Sequence, residues 1–288
     1  MSLPALIKRN VPLAGFTTLG VGGPADYFAE ITNEQELPVV CNFARDNGLD
    51  IFAIGRGSNI LFADAGFRGL VLRIDLKSFY LEGNDLWVGA GVQISELVKL
   101  AKAGRTGFES FAGLPGNVGG AVYGNAGCYG KQFWDVVAKV RFFNGKTFET
   151  LEAKPDLFSY RQSVFGGNPE WIICAVQLRA ERGDPELIGR ETKRILSTRQ
   201  ASQPKEKSCG CFFKNPIRAT AGQLIDRAGL KGERFGGAKV SEVHANFFVN
   251  AGGATANDFL ELIEIVKGRV YGEFNILLEE EIIKIGEF

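Results

Sequence analysis

The spacing of apolar residues predicts alternating strands and helices over the first two hundred residues. Residues 25–32 alternate apolar and polar side chains, which is typical of a strand with one buried face. Residues 33–48 instead repeat apolar side chains at helical spacing, from Leu37 to Ala44, and a glycine follows them. The same patterns predict strands at 51–54, 69–74, 86–89, 137–143, 147–152 and 171–179, and helices at 94–103 and 184–200.

The last part of the chain has a different pattern. A short helix is predicted over 220–229, a strand over 247–249 and a final strand over 277–285. Thr255 and Asp258 have the spacing of a capping box, and the apolar residues that follow share one helical face. This order of elements resembles a βαβ-type unit.

The polar stretch 197–207 predicts an exposed boundary between two domains. We expect a larger domain over 1–200, made of two α+β subdomains of roughly 1–75 and 76–200, and a smaller one over 201–288.

Glycine is concentrated in one run, with seven glycines in the eighteen residues 113–130. Each loses more backbone entropy on ordering than alanine would, so a fold tolerates such a run where the backbone itself touches something. Bare amides can approach a phosphate or a flat aromatic ring. A flexible linker is the alternative interpretation, but linkers are polar, and this run contains Leu114, Val118 and Val122.

A second glycine-containing turn, Gly55-Arg-Gly-Ser-Asn59, follows the predicted strand 51–54. Its amides and hydroxyl could meet a phosphate, although turns after strands often contain glycine for conformational reasons alone. Two such loops in one domain indicate a ligand with a diphosphate.

The segment 20–25 fits the dinucleotide pattern G-x-G-x-x-G/A only formally, because a strand rather than a helix is predicted after it. We therefore exclude a Rossmann site, and no P-loop pattern occurs in the sequence.

Charge and composition exclude several functions. The chain has 33 basic and 33 acidic side chains, a balance that argues against a nucleic-acid partner. No apolar run is long enough to span a membrane, and the first residues lack a signal-peptide pattern. Five scattered cysteines indicate reduced thiols and hence the cytoplasm. A single histidine, His244, disfavours a metal site and leaves none expected.

Three apolar segments carry reactive groups. Arg161 lies between aromatic residues, where a guanidinium either binds a carboxylate or enolate or simply covers the rings. Cys211 follows glycine and precedes two phenylalanines, so it is either a proton donor in a dry site or a structural thiol. Glu279 and Glu281 would share one face of a strand, with Glu280 on the other, and the strand is either functional or an exposed edge.

Taken in order, these segments resemble one family, the UDP-N-acetylenolpyruvoylglucosamine reductases, also called UDP-N-acetylmuramate dehydrogenases, in its compact class. The matching segments run over nearly the whole chain and are 10–25, 55–59, 112–121, 160–165, 210–216 and 278–282. The resemblance implies an α+β chain with an FAD-binding domain of the vanillyl-alcohol-oxidase (PCMH) type and a smaller α/β substrate-binding domain. It also implies FAD, NADPH as hydride donor, and the enolpyruvyl ether of UDP-N-acetylglucosamine as substrate in peptidoglycan synthesis.

The resemblance further implies roles for individual residues. Arg161 and Glu281 would stabilise an enolate-like intermediate, and Cys211 would protonate it. We expect a monomer that binds no nucleic acid and no membrane. The residues expected to bind FAD are Gly55, Arg56, Gly57, Ser58, Asn59, Gly113, Pro115, Gly116, Gly119, Gly120, Ala121, Asn125 and Gly127. Those expected to bind the substrate are Tyr160, Lys214, Asn215 and Gln223.

The sequence departs from the usual family pattern at two positions. Cys211 stands where most members have serine, which keeps a donor of similar size but makes it oxidisable. Glu280 stands where a proline is usual between the two glutamates. The choice of Glu281 over Glu279 therefore rests on strand register alone.

Two rival functions remain open at this point. A flavin oxidase of the same fold would react with oxygen, but the histidine that often tethers flavin in such oxidases could only be His244, far along the chain from the flavin loops. A non-enzymatic nucleotide-binding module would be colourless and would not need reactive groups in apolar segments. A partner-binding scaffold is disfavoured because glycine-rich loops make poor binding hot spots.

Overall fold

The computed structural model describes residues 3–83, 85–101 and 104–288, and of residues 100 and 101 only the backbone. The chain divides into two compact units. The first comprises Tyr27–Arg56 and Gly69–Arg199 together with the residues up to Arg9, and the second comprises Asn10–Asp26, Gly57–Arg68 and Gln200–Phe288. Each unit has its own hydrophobic core.

The described helices and strands alternate along the chain. The helices are α1 Glu36–Asp46, α2 Ile94–Ala101, α3 Val118–Tyr123, α4 Pro185–Ser202, α5 Ala221–Arg227 and α6 Ala256–Phe274. The strands are β1 Ile7–Pro12, β2 Pro24–Ile31, β3 Asp50–Ile54, β4 Ile60–Phe62, β5 Phe67–Ile74, β6 Phe79–Glu82, β7 Asp85–Gly89, β8 Arg105–Thr106, β9 Gly127–Cys128, β10 Lys131–Gln132, β11 Val137–Phe143, β12 Phe148–Glu152, β13 Phe158–Ser159, β14 Gln162–Ser163, β15 Ile172–Leu178, β16 Glu181–Arg182, β17 Lys207–Cys211, β18 Arg234–Phe235, β19 Ala238–Val240, β20 Phe247–Asn250 and β21 Ile283–Ile285.

Two larger sheets account for most of the first unit. One has the strand order β1-β2-β5-β3, with β3 parallel to β5, and the other has the order β12-β11-β15-β7-β6. Every residue of β15 is buried, so both faces of this central strand are covered. Helix α1 buries the apolar face that its periodicity predicts, and Gly48 follows it with a φ of 62°.

The second unit is built on the antiparallel sheet β17-β20-β19-β18 and the helices α5 and α6. Both helices begin with a capping box, at Thr220 with Gln223 and at Thr255 with Asp258, the second of which the sequence predicts. One face of α6 is buried in the core, from Phe259 to Val270. Each fully buried apolar side chain of this kind contributes roughly 1.5–3 kcal/mol to stability.

The structure corrects two expectations about the C-terminal segment. The predicted strand 277–285 is regular only over β21, and Glu280 forms an isolated antiparallel bridge with Phe213. The expected βαβ-type unit also does not close, because β21 pairs in parallel with β4 and not with β20.

The bounds of the other helices and strands differ less from those predicted from the sequence. The predicted strand 25–32 is β2, so a strand does follow the glycines at 20–23 and the rejection of a Rossmann site is supported. The predicted helix 94–103 is α2, and residues 102 and 103 lie outside the described residues. The expected exposed stretch 197–207 is wrong in part, because α4 extends to Ser202 and Arg199 is buried. The predicted division of the chain after residue 200 stays a prediction.

Candidate active site

The glycine-rich run of the first unit is folded around the side chain of Arg199. Gly113 has a φ of 75°, in the left-handed region that glycine tolerates. A Cβ atom at this position would lie 2.9 Å from Cδ of Arg199 and 3.0 Å from Leu196. Nε of Arg199 donates to the carbonyl of Ala112 over 3.1 Å. The absence of a side chain at Gly113 therefore lets the loop pack directly on this arginine.

Helix α3 lies within the same run, and its first amides are used inside the unit. Val118 donates to the carbonyl of Val92 and Gly119 to that of Ala90, each over 2.9 Å. A Cβ atom on Gly119 would lie 2.8 Å from Cβ of Ala90, whereas one on Gly120 would have nothing within 4 Å. Gly119 is therefore needed for packing, while Gly120 presents bare backbone to open space.

The turn that contains Gly55 lies beside the start of α3. A Cβ atom on Gly55 would be 3.4 Å from the side chain of Asn117. Asn117 is buried, and its Oδ1 atom has no hydrogen-bond partner among the described residues. The exposed Arg56 next to Gly55 donates to Oε1 of Gln93. An unsatisfied buried acceptor costs stability unless something pairs with it, so this corner of the unit fits a ligand with a hydrogen-bond donor.

Asn125 has a structural role that the sequence does not reveal. Its Nδ2 atom donates to Oε1 of Gln132 and to the carbonyl of Ser159, each over 2.8 Å. Its Oδ1 atom accepts from the amide of Trp134 over 3.3 Å. The side chain is therefore held by three hydrogen bonds within the protein, and the expected contact of Asn125 with FAD stays a prediction.

Arg161 lies in the two-residue turn of the hairpin formed by β13 and β14. Its φ of 59° is uncommon for a residue with a side chain. The guanidinium lies 5.2 Å from the centre of the ring of Tyr160, which is half exposed. Residues held in uncommon backbone conformations often lie at functional sites.

Gly127 determines where the guanidinium of Arg161 can lie. Nη2 of Arg161 donates to the carbonyl of Gly127 over 3.1 Å, and a Cβ atom on Gly127 would be 2.8 Å from Nη1. Burial raises the pKa of the neighbouring Cys128 thiol, and the charges of Arg199 and Arg161 partly offset that effect. The hairpin and the glycine-rich run thus bring two guanidinium groups towards one thiol within the first unit.

Sequence reasoning missed Arg199. The residue is 7% exposed, its guanidinium lies 5.3 Å from the centre of the Tyr129 ring, and its Nη2 atom has no hydrogen-bond partner among the described residues. No carboxylate of the described chain forms an ion pair with it. A signal was present, because the buried positions of α4 recur at helical spacing and end at 199. A buried cation without a counter-charge fits an anionic ligand.

In the second unit, Cys211 ends β17 after an irregularity in its pairing with β20. The register shifts between Ser208 and Cys211, and Gly210 within the shift has a φ of 86°. Cys211 is partly exposed, whereas Cys209 is buried, and burial raises the pKa of the Cys209 thiol to about 12. Of the two cysteines, Cys211 is therefore the one available to a substrate.

Two phenylalanines and an asparagine hold the backbone next to Cys211. Phe212 and Phe213 are fully buried, and Phe212 stacks on Phe248 with ring centres 4.4 Å apart. The buried Asn246 accepts from the amide of Phe213 over 3.0 Å and donates to its carbonyl over 2.8 Å. Asn246 was also missed, since a lone asparagine before a strand carries no recognisable signal.

The segment with the three glutamates pairs with the chain that follows Cys211. The amide of Glu281 donates to the carbonyl of Phe212, and the amide of Lys214 donates to that of Glu279, each over 2.8 Å. Nδ2 of Asn59 donates to the carbonyl of Glu281 over 3.1 Å. The structure thus brings Cys211 and Glu281 into neighbouring positions of paired segments. Arg161 belongs to the first unit.

The three glutamates differ in their surroundings. The side chain of Glu279 is 71% exposed and forms an ion pair with Lys214. The side chain of Glu280 is 16% exposed and lies 3.2 Å from Nζ of Lys267 and 2.8 Å from Nζ of Lys284. Burial alone would raise the pKa of the Glu280 carboxyl, but the hydrogen bond from Lys267 and the positive charges of both lysines outweigh it and hold this pKa below its ordinary value.

The other expected ligand residues of the second unit have partners within the protein. Oδ1 of Asn215 accepts from the amide of Ala221, and Oε1 of Gln223 accepts from the amide of Thr220. The carbonyl of Gly57 accepts from the amide of Thr18, and a Cβ atom on Gly57 would be 2.4 Å from the carbonyl oxygen of Phe16. These residues shape the turn and the start of α5, and their contacts with ligands stay predictions.

Two kinds of feature are absent from the described residues. No helix in residues 3–83, 85–101 and 104–288 is long and apolar enough to cross a bilayer. In the same part of the chain, no group of three or more His, Cys, Asp or Glu side chains is arranged to hold a metal ion.

Comparison with known proteins assigns the fold and then the family. Residues 25–150 match the family described as FAD binding domain, so the chain is a flavoprotein of mixed α and β structure with a PCMH-type domain. Residues 203–285 match the family described as UDP-N-acetylenolpyruvoylglucosamine reductase, C-terminal domain.

Relatives of known name match almost the whole chain. The UDP-N-acetylenolpyruvoylglucosamine reductase of Anoxybacillus flavithermus is 40% identical over 97% of this chain and 94% of its own length. That of a Synechococcus species is 40% identical over 99% and 93%. The crystal structure of the reductase from Thermus caldophilus matches with a TM-score of 0.83 at 37% identity, covering 97% of this chain and 99% of that one. The chain belongs to the UDP-N-acetylenolpyruvoylglucosamine reductase family, which confirms the resemblance and the fold class expected from the sequence.

Proposed function

We propose that this chain is a monomeric cytoplasmic enzyme that uses NADPH and FAD to reduce the enolpyruvyl ether of UDP-N-acetylglucosamine to UDP-N-acetylmuramate, a step of peptidoglycan synthesis. The similarity to the reductases over the whole chain supports the overall reaction. The observation that carries the assignment of residues is the pairing of Phe212 with Glu281, which places the thiol of Cys211 and a carboxylate in adjoining segments.

The first unit has features that fit FAD. FAD is a large anion with a diphosphate and a flat ring system, and its site needs cations, hydrogen-bond donors and acceptors, and bare backbone. Arg199 supplies a buried cation with an unsatisfied N–H, Asn117 an unsatisfied acceptor and Gly120 a surface without a side chain. We propose that these residues hold the cofactor together with the expected glycines, from Gly55 to Gly127.

FAD, when bound, supplies the hydride that it has received from NADPH. The protein must then offset the negative charge that develops next to the carboxylate of the enolpyruvyl group. A guanidinium can pair with such a group through two parallel hydrogen bonds. We propose Arg161 for this role, since its backbone is fixed in a hairpin turn and its guanidinium rests on Gly127.

We assign the transfer of the proton to residues of the second unit. Cys211 would give its thiol proton to the carbon that carries the negative charge and recover a proton from water. Glu281 would accept a hydrogen bond from water or substrate and keep it oriented. Glu279 is less suited to this role, because its carboxylate is exposed and paired with Lys214. We propose that Tyr160, Lys214, Asn215 and Gln223 contribute to binding the UDP-sugar.

The test separates the two halves of the reaction. The purified protein should be yellow, lose its flavin absorbance on addition of NADPH, and regain it on addition of the enolpyruvyl sugar. Cys211→Ala should leave the loss of absorbance unchanged and slow its return by about two to three orders of magnitude. Cys211→Ser should remain active, since it restores a donor of similar size.

Three results would contradict the proposal. A colourless protein would exclude FAD. Reoxidation by oxygen but not by the enolpyruvyl sugar would indicate an oxidase of the same fold. A Cys211→Ala variant that turned over normally would remove the thiol from the mechanism while leaving the reaction itself in place.

A further inference from the structure

The carboxylate of Glu280 joins three parts of the second unit. It belongs to the segment that carries Glu281, it contacts Lys267 in the middle of α6, and it contacts Lys284 in β21. Lys267 is also held from its exposed side by Glu264, one turn earlier in α6, over 3.0 Å. The side chain of Glu280 is 16% exposed, so these contacts are only partly screened by solvent.

The alternation of the backbone links Glu280 to the orientation of Glu281. Successive side chains of extended chain point to opposite sides, so a side chain fixed on one side fixes the direction of its neighbours on the other. Around Glu280 the extended structure is short, because it consists of a single bridge to Phe213. The backbone of Glu281 is already held by the carbonyl of Phe212 and by Nδ2 of Asn59. The lysine contacts of Glu280 act on the preceding residue, where a single bridge gives little resistance to twisting.

We propose that Glu280 is a positioning residue, held by Lys267 and Lys284, that fixes the backbone of Glu281 and so directs the Glu281 carboxylate towards the reacting substrate. This inference rests on the proposed function for the role of Glu281. Lys267, Glu280 and Lys284 together are called the lysine clamp below.

One substitution at position 280 would remove the lysine clamp and still restrain the backbone. The bridge to Phe213 uses the carbonyl of Glu279 and the amide of Glu281, and not the amide of Glu280. Proline at position 280 would therefore break none of these hydrogen bonds. Its ring would stiffen the backbone directly, since it fixes φ near the value of extended chain.

The experiment compares Glu280→Ala, Glu280→Pro and Glu264→Ala in the FAD-loaded full-length protein. The first readout is hydrogen exchange of the peptide 275–285, which contains the amide of Glu281. Losing the ion pairs with Lys267 and Lys284 should make exchange about tenfold faster in Glu280→Ala. Exchange in Glu280→Pro should stay within about twofold of the parent protein. Glu264→Ala, which removes only the outer partner of Lys267, should also match the parent.

The second readout is the rate at which the enolpyruvyl sugar restores the flavin absorbance. Glu280→Ala should slow this rate about tenfold with little change in the KM for the sugar, because an oriented group is lost and no binding contact is removed. Reduction by NADPH should not change. Glu280→Pro should restore the rate, which a purely electrostatic role of Glu280 would not allow. If Glu280→Ala does not fold, Lys284→Met breaks the 2.8 Å contact and should give the same pattern.

Unchanged exchange in Glu280→Ala would overturn the inference, as would fast exchange with an unchanged rate. So would a Glu280→Pro variant as slow as Glu280→Ala. A parent protein that binds FAD but ignores the enolpyruvyl sugar would instead reject the proposed function, and the exchange data would still report whether the clamp holds the segment.

Discussion

The two units present different kinds of surface to a ligand. In the first, the candidate site is mainly backbone, with glycines packed on buried side chains and the buried cation Arg199, which has no counter-charge in the part of the chain that the structure describes. In the second, it consists of side chains, Cys211 and Glu281, on segments that hydrogen bonds and buried aromatic rings hold in place. A backbone surface suits a large flat cofactor, and fixed side chains suit proton transfer. The difference fits the proposed division, in which the first unit mainly binds and the second mainly reacts.

Arg161 is the exception that tests this division most strongly, because it is a proposed catalytic group in the first unit. Arg161→Met should slow reoxidation by the enolpyruvyl sugar by about two to three orders of magnitude, since the charge that develops on the substrate then has no partner. Arg182→Met, which removes an exposed arginine of the same unit, should have a far smaller effect on this rate. Stopped-flow absorbance measures both variants.

A normal rate in Arg161→Met would assign all catalytic side chains to the second unit. Flavin reduction by NADPH serves as the internal control, because neither arginine is proposed to act in that half of the reaction. A loss of bound FAD in Arg161→Met would instead place Arg161 among the binding groups.

Substitution of Arg199 tests whether the first unit binds FAD through its buried cation. Arg199→Met should release FAD and lower the free energy of unfolding by about 1.5–3 kcal/mol, because the carbonyl of Ala112 loses a charged donor. Arg190→Met provides the control, since Arg190 is an exposed arginine of the same helix. The ratio of flavin to protein absorbance and a denaturant titration measure the two effects. Full FAD occupancy in Arg199→Met would show that the buried cation serves only the fold.

Alanine substitutions at the adjacent residues Gly119 and Gly120 distinguish an effect on protein packing from an effect on FAD binding. Gly119→Ala should lower stability by about 1–3 kcal/mol, because its Cβ would lie 2.8 Å from that of Ala90. Gly120→Ala should not lower stability, since alanine favours a helix and its Cβ meets no protein atom. It should weaken FAD binding, and a Gly120→Ala protein that binds FAD as tightly as the parent would remove that glycine from the cofactor site.

The sequence predicted those parts of the molecule in which local pattern and long-range packing agree. The face of α1, the capping box at Thr255 and the strand β11 follow from periodicity and end signals that the tertiary structure reinforces. The segment 277–281 was predicted as strand because it alternates, but it has only one bridge to pair with. Pairing partners distant in sequence decide whether an alternating segment becomes a strand, and a single sequence does not reveal them.

Only some residues of the candidate site could be predicted, because the others act through contacts with residues distant in sequence. Cys211 and Glu281 stand out because polar groups in apolar segments are visible locally. The supports of these residues are not visible, since Gly127 beneath Arg161 and Asn246 beside Phe213 each lie more than thirty residues away in sequence. Arg199 could have been found as the last position of the buried stripe of α4, but its polar neighbours in the sequence concealed it.

The weakest predicted effect concerns the only histidine of the chain, which supports the reactive segment of the second unit. Nδ1 of His244 accepts from the amide of Asn246 over 3.2 Å, so this nitrogen must be unprotonated in the folded protein. Burial lowers the pKa of His244 below its ordinary value. As the pH falls through the unfolded pKa of about 6.5, the unfolded chain takes up a proton before the folded chain does, and stability declines.

The parent protein should therefore be fully stable at pH 8 and lose a small part of its stability between pH 7 and pH 5, above the range in which carboxylates titrate. His244→Gln keeps an acceptor but does not titrate, so this variant should lack the decline. Because the chain has no second histidine, the difference between the two thermal melting profiles isolates one side chain. Parallel profiles would mean that His244 titrates equally in the folded and unfolded chains, and that the contact with Asn246 does not help hold the segment that carries Cys211.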